Sequence, residues 1–305
     1  MTAQGGYEME NDGKIKILLD TDIGSDIDDA LCLAYLLSQP RCELLGITTV
    51  SGEPEKRAML ADAICLAAGC PDIPIHSGSP EPLLVPQHQP LAQQAEVLAG
   101  WEHRRYEADY TAIAFLRRTI RQYPGEITLL AIGPLTNIGL LFAMDPEIPG
   151  MLKRLVMMLG LFSNRLSGAG PLEWNALCDP HAAAIVYRAA PADCLSIGLD
   201  VTCQCVLPAE EARRRMRGGP LAPVAEMAEV WFRGRGDVTF HDPLAAAAIF
   251  APDLLGFERG RVEVETISQR LLGLTHWLPS KDGPHQAAFS VAGDRFLRHY
   301  FETVG

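Results

Sequence analysis

Five aspartates stand within ten residues in the segment DTDIGSDIDDA: Asp20, Asp22, Asp26, Asp28 and Asp29. Charge this dense on one loop is costly unless a cation compensates it. Oxygen-only ligands select a hard cation, Ca²⁺ or Mg²⁺. Helix capping is the plainer explanation, yet a cap uses one or two aspartates. An EF-hand needs Gly at loop position six and Glu at twelve. Counted from Asp20, Gly24 falls at five and Leu31 at twelve, so that spacing fails. A strand followed by Asp-x-Asp also suits a phosphatase with Asp20 as nucleophile and Asp22 as acid/base. Phosphatases known to use such a pair also carry a later Lys and a Gly-Asp-containing acidic motif. The chain has five Lys, and no such motif is evident.

The aspartates follow a short apolar run, residues 15–19, which reads as a buried strand. Further strands are expected at 44–50, 73–76, 127–132, 155–158 and 195–199, and late ones at 261–266 and 289–291. Helices are expected at 28–37, 55–68, 110–122, 135–144, 179–189 and 243–250. Alternating strand and helix with short connections predicts an α/β fold: one Rossmann-like domain, a mostly parallel central sheet flanked by helices. Residues 1–13 read as a flexible tail and 14–305 as the catalytic domain. In such sheets ligands bind outside the carboxyl ends of the strands. That singles out Asp20-Thr21-Asp22, Ser51-Gly52-Glu53, the segment from Gly133 to Thr136, Leu159-Gly160 and Asp200.

A net charge of −12 over 305 residues argues against nucleic acid, which needs a basic face, and against an anionic membrane surface. No apolar run is long enough for a membrane helix, and the N-terminus lacks a signal-peptide pattern. Eight scattered cysteines without a C-x-x-C read as reduced thiols of a cytoplasmic protein. Cys203-Gln204-Cys205 reads as strand-like, which disfavours a two-thiol metal site.

Four segments, LLDTDIGSDIDDALCLAYLL, GITTVSGE, AIGPLTNIGLL and HDPLAAAA, together resemble the inosine–uridine-preferring nucleoside hydrolases. Glu173-Trp174-Asn175 followed by Asp179-Pro180 resembles that family's E-x-N…D-P segment. The resemblance runs from residue 18 to 248 with the motifs in order. It implies a Ca²⁺ site with carboxylates from Asp22, Asp29 and Asp242 and the backbone carbonyl of Thr136. It also implies ribose contacts from Asp28, Glu173 and Asn175, with Met158 lining the sugar pocket. A homodimer or homotetramer and a role in nucleoside salvage are the accompanying expectations. Three features depart from the family pattern. The first loop is two residues longer at Asp26-Ile27, so Asp26 becomes a candidate for metal or sugar binding. Glu53 replaces the common Asn, and accepts from a ribose hydroxyl, stabilises a developing cation, or pairs with an Arg. A His-Gly segment after the third strand is absent, and the stretch from His88 to Ala99 does not replace it convincingly.

The implied reaction is hydrolysis of a ribonucleoside to ribose and free base through an oxocarbenium-like transition state, which carboxylates suit electrostatically. A metal-bound water is expected as nucleophile, with Asp22 as general base. His241, just before Asp242, is the candidate acid or hydrogen-bond donor to the leaving base. The segment WFRGRGDVTF reads as a mobile flap. Trp231 or Phe232 would stack on the base, and Arg233 or Arg235 would polarise it. Two other readings share the same residues: hydrolysis of another N-ribosylated small molecule, and a catalytically silent Ca²⁺- or nucleoside-binding protein.

Overall fold

Apolar runs without polar alternation form the interior strands of one nine-stranded sheet, because parallel strands are covered on both faces. The computed structural model describes residues 13–163 and 170–305. The expected tail therefore lies outside the described residues except for Gly13.

The strands are β1 (Ile15–Thr21), β2 (Cys42–Thr49), β3 (Ile75–Ser77), β4 (Thr128–Ala131), β5 (Arg154–Met157), β6 (Cys194–Ser196), β7 (Val206–Pro208), β8 (Asp237–Thr239), β9 (Leu255–Val264), β10 (Thr275–Pro279) and β11 (His285–Val291). The sheet order is β10-β9-β11-β6-β5-β4-β1-β2-β3, and β7 pairs with β8 apart from it. From β3 through to β11 every pairing is parallel; β9 and β10 close the far side antiparallel. Alternate residues of β1 serve opposite faces. Ile17 and Leu19 join one apolar core, and Leu18 joins the other. Full burial of such a side chain contributes about 1.5–3 kcal/mol.

The chain runs from β1 outward to β3 and then returns to β4 on the other side of β1. The crevice between β1 and β4 is thus the point where strand order reverses, where open α/β sheets bind ligands. Above it, helix Asp28–Ser38 packs against helix His241–Phe250. Ala245, Ala246, Ala247 and Ala248 are fully buried, and side chains this short let the two helix backbones approach. Tyr300, on helix Gly293–Val304, donates its hydroxyl to the Leu31 carbonyl at 2.9 Å and fastens a third helix to the pair.

The expected strands and helices are present with shifted ends. Strands β7, β8 and β10, helices Leu221–Phe232 and Gly293–Val304, and several short helices are not among them. Cys203-Gln204-Cys205 is a turn after helix Leu199–Thr202 and not strand-like. Within the segment read as a flap, Arg233 to Gly236 stand outside helix and strand. Trp231 and Phe232 end a helix, and β8 follows within the same segment. Among the described residues no helix is long and apolar enough to cross a membrane.

Candidate active site

The loop after β1 carries the acidic cluster to the mouth of the β1/β4 crevice. A cavity of about 780 Å³ opens there, lined by Asp22, Asp26, Asp28, Asp29 and Asp242 among others. Asp28 and Asp29 occupy the first turn of their helix, where the macrodipole favours negative charge. Neither follows the capping explanation, since the residue at the N-cap is Ile27, without a side-chain cap. Asp242 occupies the first turn of the facing helix. One carboxylate oxygen from each of Asp28, Asp29 and Asp242 lies within 4.8 Å of the others, and all three residues are buried. Burial, reinforced by the neighbouring carboxylates, holds all three well above the usual carboxylate range. Burial also raises Asp22, and it raises Asp26 to about 6.

An all-oxygen set of converging buried carboxylates fits a hard divalent cation, whose charge would relieve this repulsion. Thr136 stands outside the lining of that cavity. It lies at the start of helix Thr136–Met144 and donates its hydroxyl to Asp179 Oδ2 at 2.8 Å. The cavity-lining residue of that connection is Ile132, four residues earlier, whose carbonyl accepts from Asn175 Nδ2 at 2.8 Å. A strand-end carbonyl reaches the crevice, whereas a helical carbonyl is drawn into its own helix. Gly133 is required beside it. A Cβ there would stand 2.8 Å from Asp22 Oδ1 and 2.9 Å from Val50 Cγ1.

Asp20 points elsewhere. It is fully buried and does not line the cavity, and its Oδ1 accepts from Thr48 and from Asn137 at 2.5 and 2.8 Å. Burial raises its carboxyl to about 7. A nucleophilic Asp20 attacking a phosphoester in the cavity is therefore ruled out by position.

Glu173, Asn175 and Met158 all line the cavity. Glu173 caps helix Trp174–Cys178 by accepting from the N–H groups of Asn175 and Ala176 at 2.6 and 2.9 Å, and it also accepts from Gly160 at 3.1 Å. Burial raises it to about 6. Asn175 spends its Nδ2 hydrogens on the Ile132 and Met158 carbonyls, the latter at 3.1 Å. Its Oδ1 is left as an acceptor for a ligand hydroxyl.

Glu53 is not a cavity residue. One carboxylate oxygen pairs with Lys56 at 2.5 Å and the other accepts from the Ala92 N–H at 3.1 Å. The partners are thus a lysine and a backbone amide, and not the arginine offered as one alternative. A fully buried arginine nearby serves a different purpose. Arg57 donates to the carbonyls of Ser51 at 2.7 Å, Ile23 at 3.0 Å, and Gln89 and Leu91 at 3.4 Å, to Ser25 Oγ, and to the Asp22 carbonyl. It fastens the lengthened acidic loop to the segment after β3. That segment supplies His88, Gln89 and Leu91 to the cavity, so the stretch without a His-Gly motif does reach the site.

His241 lines the cavity, and its Nδ1 lies 2.7 Å from Thr202 Oγ1. Burial pushes its imidazole down to about 4, so it is neutral at pH 7. Trp231 and Arg235 also line the cavity, with the guanidinium 5.2 Å from the indole centroid. Phe232 and Arg233 do not: Arg213 covers Phe232, and Arg233 pairs with Glu96. Exposure grades the cavity by depth. Asp22, Asp28, Asp29, Asp242 and Glu173 are at most 5% exposed, while Trp174 is 48% exposed near the mouth.

A sequence profile described as inosine-uridine preferring nucleoside hydrolase matches residues 17–298. Uridine nucleosidase 1 of Arabidopsis thaliana is 30% identical over 91% of this chain and 88% of its own. The non-specific ribonucleoside hydrolase RihC of Salmonella newport (strain SL254) is 33% identical over 86% and 87%. Among solved structures, the purine-preferring ribonucleoside hydrolase from Gardnerella vaginalis superposes with a TM-score of 0.80 at 26% identity, covering 95% of this chain and 98% of that one.

Proposed function

The chain belongs to the inosine-uridine preferring nucleoside hydrolase family, and on that premise we propose that it hydrolyses the N-glycosidic bond of ribonucleosides to ribose and free base. The observation that carries this reading is the grading of one cavity from buried carboxylates to partly exposed indoles. A ribose is rich in hydroxyl donors and suits the carboxylates and the Asn175 acceptor. A nucleobase is flat and apolar-faced, and suits Trp174, Trp231 and the Arg235 guanidinium.

Asp29 and Asp242, whose carboxylates converge with that of Asp28, would hold a Ca²⁺ ion together with Asp22, which lines the same cavity. Bound there, the ion supplies charge that polarises oxygen ligands and offsets the carboxylate repulsion. Asp28 and Asn175 accept from sugar hydroxyls and fix the ring. Asp22 takes the proton of the attacking water as general base. As the C–N bond breaks, positive charge spreads over the ribosyl ring and the surrounding carboxylates stabilise it. His241 is neutral at pH 7, and the tautomer whose Nδ1 accepts from Thr202 carries its proton on Nε2, free to donate to the departing base.

The test is reducing-sugar release from a panel of purine and pyrimidine ribonucleosides, with and without a Ca²⁺ chelator. Chelator-sensitive ribose release is expected. No release from any nucleoside by protein with Ca²⁺ bound would refute the reading.

A further inference from the structure

Gln89 stands between the two ends of the cavity. Its Nε2 donates to Asp22 Oδ2 at 2.5 Å, and its Oε1 accepts from Trp174 Nε1 at 2.7 Å. The amide orientation follows from the partners, since an indole N–H only donates and an ionised carboxylate only accepts. The residue is held as well as its side chain. Its N–H donates to Gln87 Oε1 at 2.7 Å, and its carbonyl accepts from buried Arg57. At Gly52, whose φ is +59°, a Cβ would stand 2.4 Å from the Gln89 carbonyl oxygen, so the β2-to-helix turn closes directly on this residue. Gln89 is 7% exposed and lines the cavity.

Asp22 is confined from two sides: Oδ1 lies against Gly133 and Oδ2 is bonded to Gln89. Trp174 adjoins Asn175 on a five-residue helix and projects to the mouth. One amide therefore joins the indole at the mouth to the carboxylate in the depth. We propose that Gln89 is a positioning residue that aims the Asp22 carboxylate and couples its orientation to Trp174. The inference rests on the nucleoside-hydrolase reading, in which Asp22 is the general base and Trp174 adjoins the nucleobase. A base seated against Trp174 fixes the indole, the indole fixes the amide, and the amide fixes the carboxylate.

The test is a double-mutant cycle on the Ca²⁺-loaded full chain, with the nucleoside that the wild type turns over fastest. Gln89→Met keeps the side-chain length and removes both bonds. Gln89→Glu keeps the acceptor for Trp174 and sets a carboxylate against Asp22. Trp174→Phe keeps an aromatic ring and removes the donor. Loss of a hydrogen bond to a charged group predicts that Gln89→Met lowers kcat about 10- to 100-fold. KM should stay within about threefold. Gln89→Glu should lose more. Trp174→Phe should lower kcat in the wild-type background and add nothing to Gln89→Met. Thermal melts check that each variant folds. If Gln89→Met keeps kcat within about twofold, or if the Trp174→Phe and Gln89→Met losses multiply in full, the coupling is refuted while the hydrolase reading stands.

A second readout is independent of turnover. In protein labelled with 5-fluorotryptophan, the Trp174 resonance is assigned by its loss in Trp174→Phe. Asp22→Asn should shift it, and the shift should vanish in the Gln89→Met background. An unmoved resonance overturns the proposal whether or not the protein releases ribose.

Discussion

The backbone N–H of Asp242 donates to Asp28 Oδ2 at 3.0 Å, across 214 residues of chain. Each residue sits in the first turn of its helix, so this bond joins two helix N-termini at the end of the crevice. The arrangement serves the carboxylates twice: both helix dipoles favour negative charge there, and a backbone donor already occupies one Asp28 oxygen. It does not remove the repulsion among Asp28, Asp29 and Asp242, which lie within 4.8 Å.

If that repulsion is relieved by a cation, Asp242→Ala should release it while the backbone bond to Asp28 remains. The expected result is a fall in Ca²⁺ affinity of at least about 100-fold by calorimetric titration, with ribose release falling in parallel. Stoichiometric Ca²⁺ retained in the variant, measured by elemental analysis, would refute Asp242 as a ligand.

His241 provides a separate test of leaving-group assistance. Its burial disfavours the charged form, so it acts by a hydrogen bond and not from a stored proton. His241→Ala should slow natural nucleosides by about 100- to 1000-fold, the loss seen when a transition-state donor is removed. A riboside with an activated leaving group should lose only a few-fold. Thr202→Val removes the group at Nδ1 and should give a smaller loss with the same selectivity. Equal losses on both substrates would argue against leaving-group assistance.

Glu53→Gln separates the observed geometry from the expected sugar contact. Glu53 is bonded to Lys56 and the Ala92 amide and does not line the cavity. KM and kcat should therefore stay within about twofold, and stability should change by about 1 kcal/mol or less, as for a partly exposed ion pair. A large rise in KM would show that Glu53 reaches the sugar in solution.

The contrast between Glu53 and Gln89 shows which parts of the site can be read from sequence. The parallel sheet and the acidic cluster were legible because apolar runs and clustered aspartates are local signals. Asp22, Asp28, Asp29 and Asp242 meet because each follows a strand or opens a helix, and sheet topology brings such ends together. Thr136 and Ile132 stand only four residues apart, at a helix start and just past a strand end, and of the two Ile132 lines the cavity. Gln89 and Arg57 carry no motif. Gln89 lies in an aperiodic Pro- and Gln-rich stretch, and its role follows from two partners distant in sequence. A surface-like Lys-Arg pair in a helix gives no sign that Arg57 is fully buried and bonds to carbonyls of three segments. The signal available was negative: a loop two residues longer leaves extra carbonyls that something must satisfy.

The same buried carboxylates set the pH response of the metal-free protein. Burial raises Asp28, Asp29 and Asp242 well above the usual range, Asp26 and Glu173 to about 6 and Asp20 to about 7. Between the ordinary carboxylate value near 4 and these raised values, the folded state binds more protons than the unfolded state. Stability from these groups is therefore present in acid and is lost as pH rises through the folded values. Protons and Ca²⁺ compete for the same oxygens, so Ca²⁺ affinity rises over that interval. Chelator-treated protein should melt at progressively lower temperature from pH 5 to pH 8. With excess Ca²⁺ the decline should flatten, and the difference between the two melting temperatures should widen by at least about 5 °C. A difference that stays constant across this range would show that the cation does not bind at the titrating carboxylates.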